Sequence, residues 1–170
     1  MGAAIFLKEN PLDAKSEAII GIGGPITGTL GAIVVFCLAI IAPDKNLSLF
    51  LMVLAYYGFF INLFNMIPFS PLDGGRVLGA VSKWFNVIGL GIIVLLLLTG
   101  VLKSIILYLI LALGVYGVYK RFRTPEHSGY YQTPIRSKAI IAISYFALLG
   151  IILAGYSYTE ILIKAAGGLQ

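Results

Sequence analysis

The chain is dominated by apolar blocks, each long enough to cross the hydrocarbon core of a bilayer. These blocks cover about residues 18–41, 48–67, 86–119 and 139–164, and about 20 apolar residues suffice for one spanning helix. Within a bilayer the backbone must satisfy its own hydrogen bonds, which such blocks do as helices. The sequence therefore predicts an all-α fold, a polytopic transmembrane helical bundle of about five spans, with residues 1–170 forming a single membrane domain.

The charged residues are few and lie beside the apolar blocks. Only 11% of the residues are charged, 59% are hydrophobic and the mean hydropathy is +0.99, whereas a soluble domain carries about 25% charged residues. The net charge of +5 is explained by membrane orientation, so lipid, and not nucleic acid, is the expected surrounding. Cys37 is the single cysteine, which excludes an internal disulfide and a thiolate zinc site.

The blocks divide the chain into four regions. Residues 1–17 are predicted to form a membrane-edge segment, with one short edge strand at residues 2–7 and a short amphipathic helix starting at Pro11 and Asp13. Residues 18–119 form the core. Within it, residues 86–119 are interpreted as a hairpin of two short spans, with one long tilted helix as the alternative. A polar loop at 120–138 precedes the last span at 139–164.

The distribution of basic residues predicts an orientation. With five spans and a cytosolic N-terminus, Lys45, Lys103 and Lys164 fall outside. The other nine of the twelve Lys and Arg residues fall on the cytosolic side: Lys8, Lys15, Arg76, Lys83, Lys120, Arg121, Arg123, Arg136 and Lys138. The positive-inside rule favours this arrangement, which makes the N-terminus and the 120–138 loop cytosolic.

A stripe of small residues marks the first span. Gly24, Gly28 and Ala32 recur at four-residue spacing, which lets the backbone of another helix approach closely. We interpret this stripe as a helix-docking face.

The segment from residue 62 to residue 76 is the most informative part of the chain. Asn62 and Asn65 are three residues apart and so share a helix face. The second span then stops at Pro68 because proline removes a backbone donor. The following residues 68–75 are rich in proline and glycine and contain Asp73. Such a segment is predicted to be a re-entrant turn, buried in protein or lining a wet cavity, and a carboxylate at this depth indicates function.

Simpler interpretations exist for each polar residue of this segment. Asp73 could cap a helix that starts near Gly75. Asn62 is interpreted as an interhelical hydrogen-bonding residue, and Arg76 and Lys83 as interfacial anchors.

The spacing Asn65, Pro68, Asp73 and Gly74 matches Asn-x-x-Pro-x-x-x-x-Asp-Gly, with Leu72 and Gly75 adding to the match. In this the chain resembles the site-2 proteases, which cut membrane-embedded substrates with zinc. The resemblance implies that Asp73 is the third zinc ligand and that Asn65 lies near the reacting carbonyl as an aid to the oxyanion. Residues 23–25 and the loop at 126–136 are also similar to that family.

The first signature of the family, His-Glu-x-x-His on a transmembrane helix, does not occur in these 170 residues. The single histidine, His127, lies in the polar loop and is interpreted as solvated. A catalytic zinc site normally needs three protein ligands and an open position. We therefore expect that this chain does not hold zinc alone. Either an upstream segment or chain supplies the His-Glu-x-x-His helix, or the gene has lost it.

Three functions follow as hypotheses. In the first, the chain is the C-terminal part of a site-2 protease-type membrane zinc metalloprotease, inactive alone, whose substrate is a membrane protein or peptide. In the second, it is a non-catalytic membrane protein that binds a transmembrane segment or partner. A small transporter or structural membrane protein is a third interpretation, which rests on hydropathy alone.

Overall fold

The computed structural model describes residues 13–100, 105–123 and 133–166. These residues form six helices and, within the described ranges, no strand. The helices are α1 (Ala14–Ile41), α2 (Lys45–Asn65), α3 (Asp73–Gly79), α4 (Trp84–Leu98), α5 (Ile105–Arg123) and α6 (Ile135–Ala165). The predicted edge strand at residues 2–7 lies outside the described residues.

Three helices of the described chain, α1, α2 and α6, are long and apolar enough to span a membrane, and α4 is a shorter apolar helix of 15 residues. The all-α prediction is confirmed for the described residues, and the apolar helices indicate a membrane protein. The total of about five spans stays a prediction.

Helix α1 joins two elements of the prediction. A short amphipathic helix starting at Pro11 and Asp13 was predicted ahead of a first span at about residues 18–41, but in the described residues both belong to one helix of 28 residues that begins at Ala14. The side chain of Asp13 accepts a hydrogen bond of 2.7 Å from the Ser16 N–H, which caps this helix at its start. The helix also continues through the buried Pro25.

The apolar block at 86–119 forms two helices, as the hairpin interpretation predicted. Helix α4 ends at Leu98, Gly100 has a φ of 68°, and α5 begins at Ile105 and packs against α4. A positive φ is accessible to glycine at little cost, which explains the break. Whether each helix crosses the membrane stays a prediction.

The loop predicted at 120–138 is shorter in the structure. Helix α5 continues to Arg123 and α6 begins at Ile135, so helix enters the predicted loop from both sides. His127 lies outside the described residues.

Two apolar clusters hold the helices together. In the larger cluster, α1, α2 and α6 pack on one another and α3 packs against α1 and α6. In the smaller one, Phe69 and Leu72 from the α2–α3 connection pack with Ile93 of α4 and Leu107 of α5. The connection between α2 and α3 is therefore the joint between the three long helices and the α4–α5 pair.

Candidate functional site

The α2–α3 connection, residues 66–72, is non-helical and largely enclosed by protein. Helix α2 ends at Asn65, two residues before the predicted end, and Met66 caps it. Met66, Phe69 and Leu72 are buried. The Ser70–Pro71 peptide bond is cis. The position of the α2–α3 connection relative to a membrane stays a prediction, and so does its re-entrant character.

Side chains from α6 and α4 hold this connection in place. The Tyr145 hydroxyl donates a hydrogen bond to the Met66 carbonyl, and the Ser70 N–H donates to Asn86 Oδ1 at 3.2 Å. The ring of Phe69 lies so close to Gly114 that a side chain at 114 would overlap it. Satisfied backbone groups explain how a non-helical segment can exist among apolar helices.

Tyr145 and Asn86 were not recognised from the sequence as parts of this site. The available signal was a buried polar group inside an apolar block, since such groups normally have partners. Sequence spacing could not identify the partners, because Tyr145 is 79 residues from Met66.

Gly74 and Gly75 allow α3 to fold back onto the connection. A Cβ at Gly74 would overlap the Met66 carbonyl, and a Cβ at Gly75 would overlap the backbone between Phe69 and Ser70. The glycines of the matched spacing therefore have a packing role that does not depend on any metal.

Asp73 is the first residue of α3 and is partly buried. The alternative interpretation, that its carboxylate caps the helix, fails because Leu72 is the capping residue and makes no side-chain cap. Instead, the carboxylate faces α1, with Oδ2 3.0 Å from the position that a Cβ on Gly24 would occupy. The absence of a side chain at Gly24 thus leaves room for the Asp73 carboxylate.

The small-residue stripe of α1 packs mainly within this chain. A Cβ at Gly28 would overlap the Asn62 amide, and Gly58 of α2 lies against Ala32. Asn62 is buried, but it donates its hydrogen bond of 2.7 Å to the Gly58 carbonyl of its own helix. For the described residues, the interpretation of Asn62 as an interhelical hydrogen-bonding residue is therefore wrong. Where α1 comes close to α2, the residue that faces the Asn62 amide is Gly28, which has no side chain to form a hydrogen bond.

Next to this packed stripe, α1 has a second row of small residues that the described chain leaves open. A Cβ added at Gly23 or Gly31 would meet no described atom within 4 Å. Between them, Thr27 is exposed and its hydroxyl donates to the carbonyls of Gly23 and Gly24. We call Gly23, Gly24, Thr27 and Gly31 the open face of α1, and Asp73 lies beside it at Gly24.

Asn65, the last residue of α2, is partly exposed, and its side chain has no hydrogen bond with another described residue. Asn65 and Asp73 thus lie at the two ends of the same connection, and no hydrogen bond joins their side chains in the described part of the chain. Their predicted roles toward zinc and an oxyanion stay predictions.

The described residues do not complete a metal site. No group of three His, Cys, Asp or Glu residues close enough to hold a metal occurs in residues 13–100, 105–123 and 133–166. Asp73 is one carboxylate, whereas a catalytic zinc normally has three protein ligands. These residues alone do not fit zinc.

An apolar cavity of about 310 Å³ lies between α2, α4 and α6, next to the connection. The residues that line it are Phe60, Leu63, Phe64, Met66, Ile67, Pro68, Ile92, Leu96, Tyr145 and Leu149. Tyr145 and Met66 thus belong both to this wall and to the hydrogen bond that holds the connection.

Comparison with known proteins relates the chain to a metalloprotease. No protein-family profile matches it, and no solved structure is detectably similar. It is 33% identical over 85 residues to the "Putative zinc metalloprotease MJ0611" of Methanocaldococcus jannaschii. The match covers 48% of this chain and only 41% of the archaeal protein. The partial match supports a distant metalloprotease relationship, with zinc suggested for that relative by its description.

Proposed function

We propose that this chain is the C-terminal part of a site-2 protease-type intramembrane zinc metalloprotease and that it is inactive alone. The observation that carries the proposal is the placement of Asp73, a partly buried carboxylate at a break between apolar helices and beside the open face of α1. An ionisable side chain among apolar helices is costly and is by default a functional group. The matched spacing from Asn65 to Gly74 and the archaeal relative support the same proposal.

In this proposal Asp73 supplies one zinc ligand and a separate His-Glu-x-x-His helix supplies the others. That helix packs on the open face of α1, where Gly23 and Gly31 permit close backbone approach. Gly28 and Ala32 of the docking stripe are already covered by α2, so Gly24 is the part of that stripe left at the edge of the site. Asn65 lies near the reacting carbonyl of a membrane protein or peptide substrate.

The proposed arrangement in the membrane has five spans, α1, α2, α4, α5 and α6. The N-terminus and the 120–138 loop are cytosolic, because that orientation puts most of the Lys and Arg residues inside. Asp73 then lies toward the cytosolic end of the bundle.

Zinc content tests the proposal. The purified 170-residue chain in detergent should retain far less than one equivalent of zinc and should not cleave a membrane peptide. Reconstitution with a synthetic transmembrane helix carrying His-Glu-x-x-His should raise zinc, measured by mass spectrometry of the metal, to about one equivalent. Asp73→Asn should abolish that gain, because the amide is a poor zinc ligand compared with a carboxylate.

Asp44→Asn is the matched control. Asp44 caps α2 through its carboxylate at the Leu47 N–H, and asparagine caps helices about equally well, so this change removes a carboxylate away from the site. It should leave the zinc gain intact. Stoichiometric zinc in the isolated chain, with cleavage lost on chelation, would contradict the proposal.

A non-catalytic role is the second candidate, and the apolar cavity between α2, α4 and α6 favours it. A degenerate relative would hold a membrane segment there without zinc. In that case a photo-reactive transmembrane peptide should crosslink to Leu63 and Ile92 equally well in the parent chain and in Asp73→Asn, and the added helix should not raise zinc.

A further inference from the structure

Resting on the proposed function, in which Asp73 is the functional carboxylate, we propose that Gly21 of α1 and Arg76 of α3 position that carboxylate beside Gly24. Helix α3 has seven residues, too few for an isolated helix to be stable. Its contacts with the longer helices therefore determine where its first residue, Asp73, lies. Gly21 and Arg76 supply the contacts with α1 that are nearest to Asp73.

Helix α3 meets one face of α1 at three points. Asp73 Oδ2 is 3.0 Å from the place of a Cβ at Gly24, and the Arg76 Cβ is 3.1 Å from the place of a Cβ at Gly21. Farther along, Arg76 Nε is 3.7 Å from Glu17 Oε1. Positions 17, 21 and 24 of α1 are four and three residues apart, so they share a helix face. Because the contacts occur in opposite order along the two helices, a single placement of α3 makes all three.

Gly21 sets the distance between α1 and α3. It is buried, and a Cβ there would lie 3.4 Å from both the Asp73 carbonyl oxygen and the Val77 Cγ2. The space at Gly21 is thus no larger than one added carbon would need. A longer side chain at position 21 would overpack the contact and force the backbones apart, and Asp73 would move away from Gly24 with the rest of α3.

Arg76 sets the register of α3 along α1. It follows Asp73 by three residues on α3, and its guanidinium reaches Glu17, which lies about 10 Å from Gly24 along α1 at about 1.5 Å per residue. The two paired side chains are 42% and 30% exposed, and such ion pairs contribute little to overall stability. Placements of a short helix that differ by a small slide bury similar apolar area, so a weak but directional contact is enough to select one of them.

Disulfide formation in the full chain tests this placement without zinc or an added helix, so its failure is distinct from a failure of the proposed function. In a Cys37→Ser background, the pair Gly24→Cys/Asp73→Cys should crosslink under mild oxidation in detergent. The Asp73 Cγ, whose place a cysteine Sγ takes, is 3.8 Å from a Cβ at position 24, within reach of a disulfide. Gly21→Leu should slow the crosslinking by about tenfold or more, because it overpacks the contact.

The Arg76 variants test the register. Arg76→Gln should slow the crosslinking by about threefold, and Arg76→Lys, which keeps the charge, should restore the parent rate. Glu17 has a further interaction, so it is left unchanged. Since an exposed ion pair adds little stability, Arg76→Gln should keep its melting temperature within about 3 °C of the parent.

The matched control is Gly150→Leu in α6, where a Cβ would meet no described atom within 4 Å. It should change the crosslinking rate less than about twofold. No crosslink in the parent pair, equal rates in Gly21→Leu and Gly150→Leu, or an Arg76→Gln rate equal to the parent's would overturn the positioning role, as would rates that merely follow the melting temperatures. Should Gly21→Leu prevent folding, Gly21→Ala, which asks its neighbours to move by a few tenths of an ångström, should still slow the crosslinking, whereas Gly150→Ala should not.

Discussion

At the scale of single residues, the connection between α2 and α3 depends on two glycines. A methyl group at Gly74 would overlap the Met66 carbonyl, and backbone cannot yield as a flexible side chain does. We predict that Gly74→Ala lowers the free energy of unfolding by about 1–3 kcal/mol or more. Thermal unfolding in detergent, followed by circular dichroism, measures this loss.

Gly150→Ala is the control for that prediction. Gly150 lies in α6, and a Cβ there would meet no described atom within 4 Å. Since alanine is the better helix former, Gly150→Ala should leave the melting temperature unchanged or raise it. A Gly74→Ala chain as stable as the parent would contradict the close approach of α3 to the connection.

The sequence indicated which residues matter here but not what they contact. The spacing from Asn65 to Gly74 identified the segment, and Pro68 predicted the helix end to within a few residues. The contact between Gly24 and the Asp73 carboxylate could not be predicted, because it depends on how two helices distant in sequence cross. Asn62 was misjudged because α1 presents a glycine, Gly28, to its amide, and Asn62 donates instead to the Gly58 carbonyl of its own helix.

At the scale of secondary-structure elements, α6 holds the connection through one side chain. Tyr145 is buried and its hydroxyl donates to the Met66 carbonyl. Tyr145→Phe keeps the ring and leaves that carbonyl without its donor, so the free energy of unfolding should fall by about 1–3 kcal/mol. Chemical unfolding in detergent measures the change.

Tyr158→Phe serves as the comparison for Tyr145→Phe. Tyr158 is also in α6, is exposed and packs its ring against Phe36, so removal of its hydroxyl should cost less than about 0.5 kcal/mol. Equal effects of the two changes would show that the Tyr145 hydroxyl contributes nothing specific.

The stability of the first turn of α1 should depend on pH, because its capping residue Asp13 is a carboxylic acid. The hydrogen bond from the Ser16 N–H lowers the pKa of Asp13 below its ordinary value of 3.8. A lowered folded-state pKa means that the cap contributes fully above the unfolded value and is lost as the pH falls through the lower folded value. Amide hydrogen exchange at Ser16 should therefore show reduced protection only below about pH 4, and Asp13→Ala should remove that pH dependence.

At the scale of the whole molecule, the apolar blocks predicted the class of fold because their length and composition are set by the bilayer. They could not fix the ends of the helices. Asp13 extends α1 backwards by capping it before the apolar block begins, and α5 continues into the basic residues up to Arg123. Nor could they fix the number of spans, since α4 has only 15 residues.

The number of spans depends on whether α4 and α5 cross the membrane. Helix α4 is about 22 Å long at about 1.5 Å per residue, which is shorter than a hydrocarbon core of about 30 Å. The side of the membrane on which its C-terminal end at Thr99 lies therefore shows whether the helix crosses. In a Cys37→Ser background, we expect single cysteines at Lys83 and Lys120 to react with a membrane-impermeant maleimide from the cytosolic side. Cysteines at Lys45 and Lys164 should react from the opposite side.

Thr99→Cys decides between five spans and three. Thr99 is exposed just before the break at Gly100, so it should react from the same side as Lys45→Cys if α4 and α5 both cross. Its reaction should be slower, because a short helix leaves its end close to the hydrocarbon boundary or thins the bilayer around it. Labelling of Thr99→Cys from the cytosolic side would mean that α4 and α5 return without crossing, and that only α1, α2 and α6 span the membrane.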